Sequence, residues 1–176
     1  MTLFNSRVAL IACFICIAPL AAPQAGPELS AKHIENPEMV GKARFSYLFW
    51  DVYDAQLLSP GGVFKDDGPM ALSLTYLRNL KGEAIVESSL KEIRRQGMAD
   101  EARLSAWEDE LSRIIPDVKD QDSIAGVRDH DGRTFFYVNG TPAGKIDDAD
   151  FGRYFFNIWL GPDSSDRDFT SKLKGG

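Results

Sequence analysis

The alternation of apolar and polar residues predicts two strands in the first half of the chain. Residues 44–58 are rich in aromatic and branched side chains without a helical period, which predicts one long strand. Residues 70–80 predict a second strand, in which Leu72, Leu74 and Tyr76 share one face and polar residues share the other. That alternation is typical of a sheet with one buried face.

The chain then changes to the period of a helix. A first predicted helix has an apolar face, and Gly97 is placed to end it. Asp100 can cap a second helix, which Pro116 stops. The apolar stripe of the first helix comprises Ile85, Val86, Leu90 and Ile93, and that of the second comprises Leu104, Trp107, Leu111 and Ile114.

Short strands follow the two helices. Residues 122–128 and 133–138 flank Asp131-Gly132, a dipeptide typical of hairpin turns. Asn139-Gly140 then predicts a turn into a short strand at residues 143–146. The strands are therefore grouped, and they do not alternate strictly with helices.

Two further helices close the chain. Asp147, Asp148 and Asp150 place negative charge at the start of a third helix, where the helix dipole favours it, and Gly161-Pro162 ends that helix. Ser164 or Ser165 is expected to cap a last helix that carries Phe169 and Leu173. The order of strands, two helices, strands and two helices predicts an α+β fold, with an antiparallel sheet and helices packed on one side.

The first 25 residues have the layout of a secretory signal. Arg7 supplies a positive charge, residues 8–22 are nearly all apolar, and small residues precede a cleavage site expected after Ala25. The apolar run is short for a membrane span, although an uncleaved N-terminal anchor is the alternative. Cys13 and Cys16 both lie in this segment, so the mature chain has no cysteine for a disulfide. A periplasmic or secreted protein, without a stable membrane span after cleavage, is expected.

The mature chain, residues 26–176, has the size of one domain and is acidic. Its 19 basic residues stand against 26 acidic ones, which gives a net charge of −7. An acidic domain without a basic run is a poor candidate for binding nucleic acid or anionic membrane surfaces. A nucleic-acid partner is therefore not expected.

Several segments, taken in order, resemble the bacterial branch of the chalcone-isomerase-like family. The resemblance is carried by residues 49–57, 72–78, 116–118, 151–161 and 164–173, which together span nearly the whole mature chain. The resemblance implies the chalcone isomerase fold, an open-faced β-sandwich with a mostly antiparallel sheet and helices over one face.

The same resemblance bears on function. Plant members cyclise chalcones, whereas other relatives bind fatty acids through an arginine and tyrosines in a cleft. The segment from Gly41 to Arg44 is similar to the element that supplies the cleft arginine. The enzymes carry a tyrosine and an asparagine at positions that correspond here to Ile85 and Glu92, so the resemblance does not extend to chalcone cyclisation.

We therefore expect Arg44, Tyr53, Tyr76 and Arg78 to form a ligand-binding site. A guanidinium can clamp a carboxylate through two parallel hydrogen bonds. Each residue also has a purely structural interpretation: Arg44 as an exposed edge residue, the tyrosines as core packing, and Arg78 as the partner of a helix carboxylate.

No metal site or cofactor is expected. Asp129-His130-Asp131 precedes Gly132 at a hairpin tip, where aspartate favours turning, and no cysteine or second histidine lies near it. Asp147, Asp148 and Asp150 are better explained by helix capping than as paired catalytic acids.

Three functions remain open at the level of the sequence. The first is binding of a small hydrophobic carboxylate, such as a fatty acid, between sheet and helices. The second is an isomerase, an intramolecular lyase of the chalcone isomerase type, in which an arginine stabilises developing negative charge. The third is an interaction module whose cleft is filled by side chains. The sequence decides neither the natural ligand nor the oligomeric state.

Overall fold

The computed structural model describes residues 27–176 of the 176-residue chain. The predicted signal at residues 1–25, with Cys13 and Cys16, lies outside the described residues. Six antiparallel strands form one sheet in the order β1-β2-β3-β4-β5-β6, so every strand pairs with its neighbours in sequence. The strands are β1 Pro37–Tyr47, β2 Trp50–Pro60, β3 Met70–Tyr76, β4 Ser123–Arg128, β5 Thr134–Val138 and β6 Thr141–Ile146.

Two helices are inserted between β3 and β4, and two more follow β6. The helices are α1 Pro27–Ser30, α2 Gly82–Arg95, α3 Glu101–Ile114, α4 Ala149–Leu160 and α5 Arg167–Leu173. An antiparallel sheet with grouped helices confirms the predicted α+β class. None of the helices between residues 27 and 176 combines the length and the apolar character that crossing a bilayer requires.

The structure corrects the prediction of one long strand at residues 44–58. The chain reverses within that segment, because Tyr47 at the end of β1 pairs with Trp50 at the start of β2. Leu48 and Phe49 form the two-residue turn, and Leu48 has a φ of 55°. Neither of these two residues is a glycine, proline, asparagine, aspartate or serine, so the usual signals of a turn are missing from them.

Other boundaries also differ from the prediction, and β6 begins at Thr141 rather than at residue 143. The strand expected to reach residue 80 ends at Tyr76, and the chain then bends towards α2. Asp166, rather than Ser164 or Ser165, caps α5, since its carboxylate accepts a hydrogen bond from the Phe169 backbone N–H at 2.9 Å. Aspartate is as good an N-cap as serine, so sequence preference alone did not decide between them.

The other predicted helix ends and turns are confirmed. Asp100 caps α3 by accepting hydrogen bonds from the backbone N–H groups of Ala102 and Arg103. Gly97 adopts a φ of 92° just after α2, a backbone conformation that glycine adopts without strain. The turn at Asn139-Gly140 has positive φ at both residues, as a type I′ hairpin requires.

The core lies between the sheet and helices α2 to α5. Leu57, Leu72 and Phe136 project from β2, β3 and β5 into this core and are at most 2% exposed. The opposite face of the sheet carries a smaller cluster, which Ile34 covers from the segment before β1. His33 in that segment stacks on Phe135 at a ring distance of 3.9 Å.

The end of α5 lies directly against β1 because position 41 is glycine. A Cβ at Gly41 would collide with the backbone carbonyl oxygens of Lys172 and Leu173. β1 also has an irregular register between Met39 and Gly41, as in a β-bulge. Gly41 therefore fixes how closely α5 approaches the sheet.

Candidate functional site

An open cleft of about 980 Å³ lies at the end of the sheet where β1 and β3 finish and β2 begins. Helix α2 forms one side of the cleft, and the end of α4 with the start of α5 forms the other. The main lining side chains are Phe45, Tyr47, Val52, Tyr53, Leu74, Tyr76, Arg78, Leu80, Ile85, Ser88, Lys91, Glu92, Ile158, Trp159, Asp166, Arg167, Asp168 and Phe169. Apolar and aromatic side chains form much of the lining, and the charged lining residues come from the segment after β3, from α2 and from the start of α5.

Aromatic rings form much of the inner wall. The Tyr53 ring stacks on Phe45 at 5.1 Å and meets the edges of Tyr76 and Phe169, each at 6.1 Å between centroids. These rings come from β1, β2, β3 and α5, so their contacts join the sheet to the last helix. A wall of this kind suits an apolar ligand.

The Tyr53 hydroxyl links the sheet to α4. Trp159 donates its indole N–H to the Tyr53 oxygen at 2.9 Å. Burial raises the pKa of Tyr53, although this hydrogen bond from Trp159 acts in the opposite direction. The phenol thus keeps its proton at neutral pH, and no described residue accepts that proton in a hydrogen bond.

The Tyr76 hydroxyl has no hydrogen-bond partner among residues 27–176. Tyr76 is only 3% exposed, and burial raises its pKa, with a smaller contribution from Tyr53. Buried tyrosine hydroxyls usually find a partner. Tyr76 therefore offers a donor and an acceptor to whatever occupies the cleft.

Three cations line the mouth of the cleft without a carboxylate partner in the described chain. They are Arg78, Lys91 and Arg167, and all three are exposed. Arg78 lies over the Trp50 ring, 5.8 Å from its centroid. The alternative in which Arg78 pairs with a helix carboxylate is not what the structure shows.

Two of the three acidic residues that line the cleft already bond to other groups of the protein. Glu92 bonds to Arg95 at 2.6 Å, and Asp166 caps α5. Asp168 is the one lining carboxylate that takes part in no ion pair or hydrogen bond within the described part of the chain. The groups available to a ligand at the mouth are therefore predominantly cationic.

Arg44 does not line the cleft. It stands opposite Asp54 in the β1–β2 ladder, and its Nε and Nη2 donate to the two Asp54 carboxylate oxygens at 2.7 and 2.8 Å. Nη1 donates to Asp51 at 3.1 Å, and these carboxylates raise the pKa of Arg44, with the Asp54 hydrogen bonds contributing most. Because Phe45 points into the cleft, its neighbour Arg44 points to the other face of the sheet. The structure thus brings Tyr53, Tyr76 and Arg78 together and leaves Arg44 outside.

Ile85 and Glu92 both line the cleft from α2. The resemblance places a tyrosine and an asparagine of the cyclising enzymes at these positions. In this chain the same wall presents a hydrocarbon side chain and a carboxylate paired with Arg95. The tyrosine hydroxyl and the asparagine amide that the resemblance places on this wall are therefore absent from the cleft of this chain.

The Asp129-His130-Asp131 cluster performs the turn role that was predicted for it. Possible ligand atoms of the three side chains lie within 4.8 Å of one another. The Asp129 carboxylate, however, already accepts hydrogen bonds from the backbone N–H groups of Asp131 and Arg133 and from the Arg133 guanidinium. These bonds close the β4–β5 turn.

Among the aspartates at the start of α4, Asp148 has the predicted capping role. Asp148 accepts a hydrogen bond from the Asp150 backbone N–H, and its carboxylate binds Arg103 at 2.7 Å and the Trp107 indole at 3.1 Å. Burial alone would raise the pKa of Asp148, but these hydrogen bonds outweigh it and hold the pKa below its usual value. The arrangement caps α4 and ties it to α3.

Sequence reasoning did not assign Phe45, Lys91, Trp159, Arg167 and Phe169 to the site. Trp159 in α4 and Phe169 in α5 also contribute to the core, which is the ordinary role of a large apolar residue on a helix. Lys91 belongs to the polar face of α2, where a lysine is ordinary. No sequence signal marks an exposed cation as part of a cleft, because the cleft forms only when α2 and α5 meet the sheet.

Comparison with known proteins agrees with this geometry. The sequence profile described as chalcone isomerase-like matches residues 48–175. An uncharacterized protein of Haemophilus influenzae is 27% identical over 137 residues, which are 77% of this chain and 67% of that protein. The crystal structure of a fatty-acid binding protein from Arabidopsis thaliana superposes with a TM-score of 0.63 and 13% identity, over 80% of this chain and 88% of that one. That likeness shows a shared fold. Since the profile spans most of the sequence, the chain belongs to the chalcone isomerase-like family.

Proposed function

We propose that this protein binds a small amphipathic anion, such as a fatty acid, in the cleft beside β3. The observation that carries the proposal is a largely apolar cleft of about 980 Å³. Among the described residues, the Tyr76 hydroxyl in this cleft has no hydrogen-bond partner and Arg78 has no carboxylate partner. This volume is at the upper end of the range of roughly 300–1,000 Å³ that is typical of small-molecule sites. An open cleft of this size favours a ligand over an interaction module with a filled interior.

The wall of the cleft suits the hydrocarbon end of such a ligand, and the mouth suits its charged end. The rings of Phe45, Tyr53 and Phe169 would surround a hydrocarbon tail, because burying apolar area is favourable without directional contacts. The carboxylate would lie at the mouth beside Arg78, where charge-assisted hydrogen bonds are strong and water remains accessible. The Tyr76 hydroxyl supplies a further donor deeper in the cleft.

The structural likeness to a fatty-acid binding protein supports this class of ligand. At 13% identity the likeness extends to the fold and carries no residue assignment. The proposal therefore rests on the cleft of this chain and takes from the comparison only that the fold can hold such a ligand.

Binding of a fluorescent fatty acid to the delipidated protein tests the proposal. Saturable binding is expected, and Arg78→Ala should weaken it by at least about tenfold, since a hydrogen bond to a charged group contributes roughly 1.5–3 kcal/mol. Arg44→Ala is the matched control, because Arg44 lies on the other face of the sheet, and its affinity should equal that of the wild type. The proposal fails if binding does not saturate, or if Arg78→Ala and Tyr76→Phe both bind as the wild type does.

Chalcone cyclisation is not part of the proposal. Ile85 and Glu92 stand where the cyclising relatives have a tyrosine and an asparagine, so this wall lacks the hydroxyl and amide of those enzymes. Purified protein mixed with a chalcone should leave the chalcone absorbance to decay at the uncatalysed rate. A faster, saturable decay would assign the cleft to an isomerase instead.

We also propose that residues 1–25 export the chain to the periplasm or beyond the cell. The charged start, apolar middle and small-residue exit support this. Cell fractionation with mass measurement of the recovered protein tests it. A full-length chain retained in the cytoplasm would contradict export, and a full-length chain held in the membrane fraction would assign the segment to an uncleaved anchor.

A further inference from the structure

The turn between β1 and β2 exposes four consecutive large apolar side chains. Tyr47, Leu48, Phe49 and Trp50 are 65, 76, 95 and 65% exposed. Among residues 29–176 the other large hydrophobic side chains with high exposure are Met39 and Val63, which are far apart in sequence from this run of four. Contiguous exposed apolar surface on a folded protein usually marks an interaction site.

The requirements of the turn do not explain these residues. A two-residue hairpin turn favours glycine, asparagine or aspartate where φ is positive, yet Leu48 occupies that position with a φ of 55°. A bulky residue in this conformation is strained. The tip formed by residues 47–50 therefore carries Leu48 at the expense of local stability.

The tip lies beside the mouth of the cleft. Tyr47 lines the cleft, and the Arg78 guanidinium lies over the Trp50 ring. The three mouth cations without a carboxylate partner among the described residues, Arg78, Lys91 and Arg167, outnumber the one unpaired lining carboxylate, Asp168. These three cations are therefore available to an anionic group that approaches the tip, although the whole chain has a net charge of −6.

The geometry points to a lipid surface with anionic headgroups as the partner of this tip. Tryptophan, tyrosine, phenylalanine and leucine are the residues that insert at the boundary between headgroups and acyl chains. Neighbouring cations attract anionic headgroups over about a Debye length. Aromatic residues and leucine on a protruding turn would thus enter the bilayer interface, while Arg78, Lys91 and Arg167 contact the headgroups.

A protein partner fits the same surface less well. A stable protein interface buries about 800 Å² on each side. Four side chains of this size, partly exposed at a narrow turn, present roughly 600 Å². A bilayer needs no matching pocket for a convex tip, whereas a protein does. The inference goes beyond the proposed function and does not depend on it, since insertion of the tip requires no ligand in the cleft.

Quenching of Trp50 fluorescence by brominated lipids tests this insertion on the full chain. Trp107 and Trp159 are buried, at 3 and 9% exposed, so Trp50 is the tryptophan that an acyl chain can approach at the surface. With vesicles of phosphatidylglycerol and acyl-brominated phosphatidylcholine, the wild-type emission should fall and shift to shorter wavelength. The double variant Leu48→Asp/Phe49→Asp should lose at least nine-tenths of this quenching.

Matched variants distinguish contact of the tip with lipid from contact made by other parts of the chain. Val63→Asp changes another exposed hydrophobic residue and should quench as the wild type does, whereas Trp50→Phe should abolish the signal. All variants keep residues 1–25, so any attachment through that segment is common to them, and circular dichroism melting checks that each variant folds. Quenching that persists in Trp50→Phe, or that is equal in the double variant, overturns the proposal.

Sedimentation provides the other decisive outcome. If the wild type is a dimer that the double variant converts to a monomer, and Trp50 is not quenched, the tip contacts a second copy of the chain and the lipid proposal is wrong. Because neither readout uses a fatty acid, failure of ligand binding and failure of tip insertion are distinguishable.

Discussion

Trp159 donates its indole N–H to the Tyr53 hydroxyl at 2.9 Å, and this bond joins α4 to β2 at the wall of the cleft. It is a direct polar link between helix and sheet in a wall that is otherwise built from ring contacts. The bond also leaves the Tyr53 hydroxyl free to donate to a ligand.

Removing that hydroxyl should loosen the helix from the sheet. Tyr53→Phe leaves the Trp159 N–H without its partner, and a buried donor left unpaired costs about 1–3 kcal/mol. We expect the lower end of this range in urea unfolding, because the cleft admits water. Tyr47→Phe removes a hydroxyl from an exposed ring and should change stability by less than about 0.5 kcal/mol. Equal effects of the two variants would contradict the role of this bond.

Gly41→Ala should displace α5. The new methyl group would overlap the backbone carbonyl oxygens of Lys172 and Leu173, and backbone atoms cannot turn aside as a side chain can. Overpacking of this kind costs about 1–3 kcal/mol. Gly68→Ala is a milder control, since its nearest contact is the Lys65 Cβ at 3.1 Å. Urea unfolding should show the larger loss for Gly41→Ala, and equal losses would show that α5 moves without cost.

The start of α4 provides a matched pair of aspartates. Asp148→Ala removes an N-cap and two side-chain partners, Arg103 and Trp107, so a loss of about 2 kcal/mol at pH 7 is expected. Asp147→Ala removes only an exposed pair with Lys145 and should cost less than about 0.5 kcal/mol.

The pH dependence of Asp148 follows from its lowered pKa. The unfolded carboxyl titrates near 3.9, and the folded one titrates below that value. The stabilisation by the charged carboxylate is therefore present above about pH 4 and is lost as the pH falls towards the folded pKa. Urea unfolding at several pH values should show the gap between wild type and Asp148→Ala narrowing below pH 4. A gap that is constant with pH would contradict a role for the charge.

The stability of the protein should depend on pH through His33, which lies in the segment before β1. Burial is the main cause of the lowered pKa of His33. The charge of Asp129 raises this pKa in part, whereas the charges of Lys32 and Arg133 lower it further. The unfolded imidazole takes up a proton near pH 6.5, before the folded one does, so stability falls as the pH drops through that value. His33→Gln cannot titrate, and its melting temperature should fall less between pH 7.5 and 5. An equal fall in both proteins would contradict this.

Leu48→Gly should separate stability from membrane contact. Glycine adopts the φ of 55° at position 48 without strain, so the free energy of unfolding should rise by about 1 kcal/mol. The same variant removes one of the four tip side chains, and Trp50 quenching by brominated lipids should decrease. A variant that is both less stable and equally quenched would contradict both parts of this expectation.

Much of the fold could be predicted where the pattern was local and periodic. Helix α3 was predicted from its apolar stripe, with Asp100 as its cap, because a side chain that caps a helix acts on backbone groups within three residues. The turn at Asn139-Gly140 was predicted for the same reason. The β1–β2 turn was missed because Leu48-Phe49 has none of the residues that usually bend a chain, and this turn carries the tip.

The α+β class, the helix faces and the chalcone isomerase-like resemblance could all be predicted from the sequence, since each is carried by patterns within short segments of the chain. Tertiary structure decided which arginine belongs to the cleft. A shift of one position along a strand moves a side chain to the other face of the sheet, and only the pairing of Arg44 with Asp54 placed that guanidinium outside. Arg78, Lys91 and Arg167 are brought to one mouth by the packing of α2 and α5 on the sheet, a relationship between distant segments that local spacing does not encode.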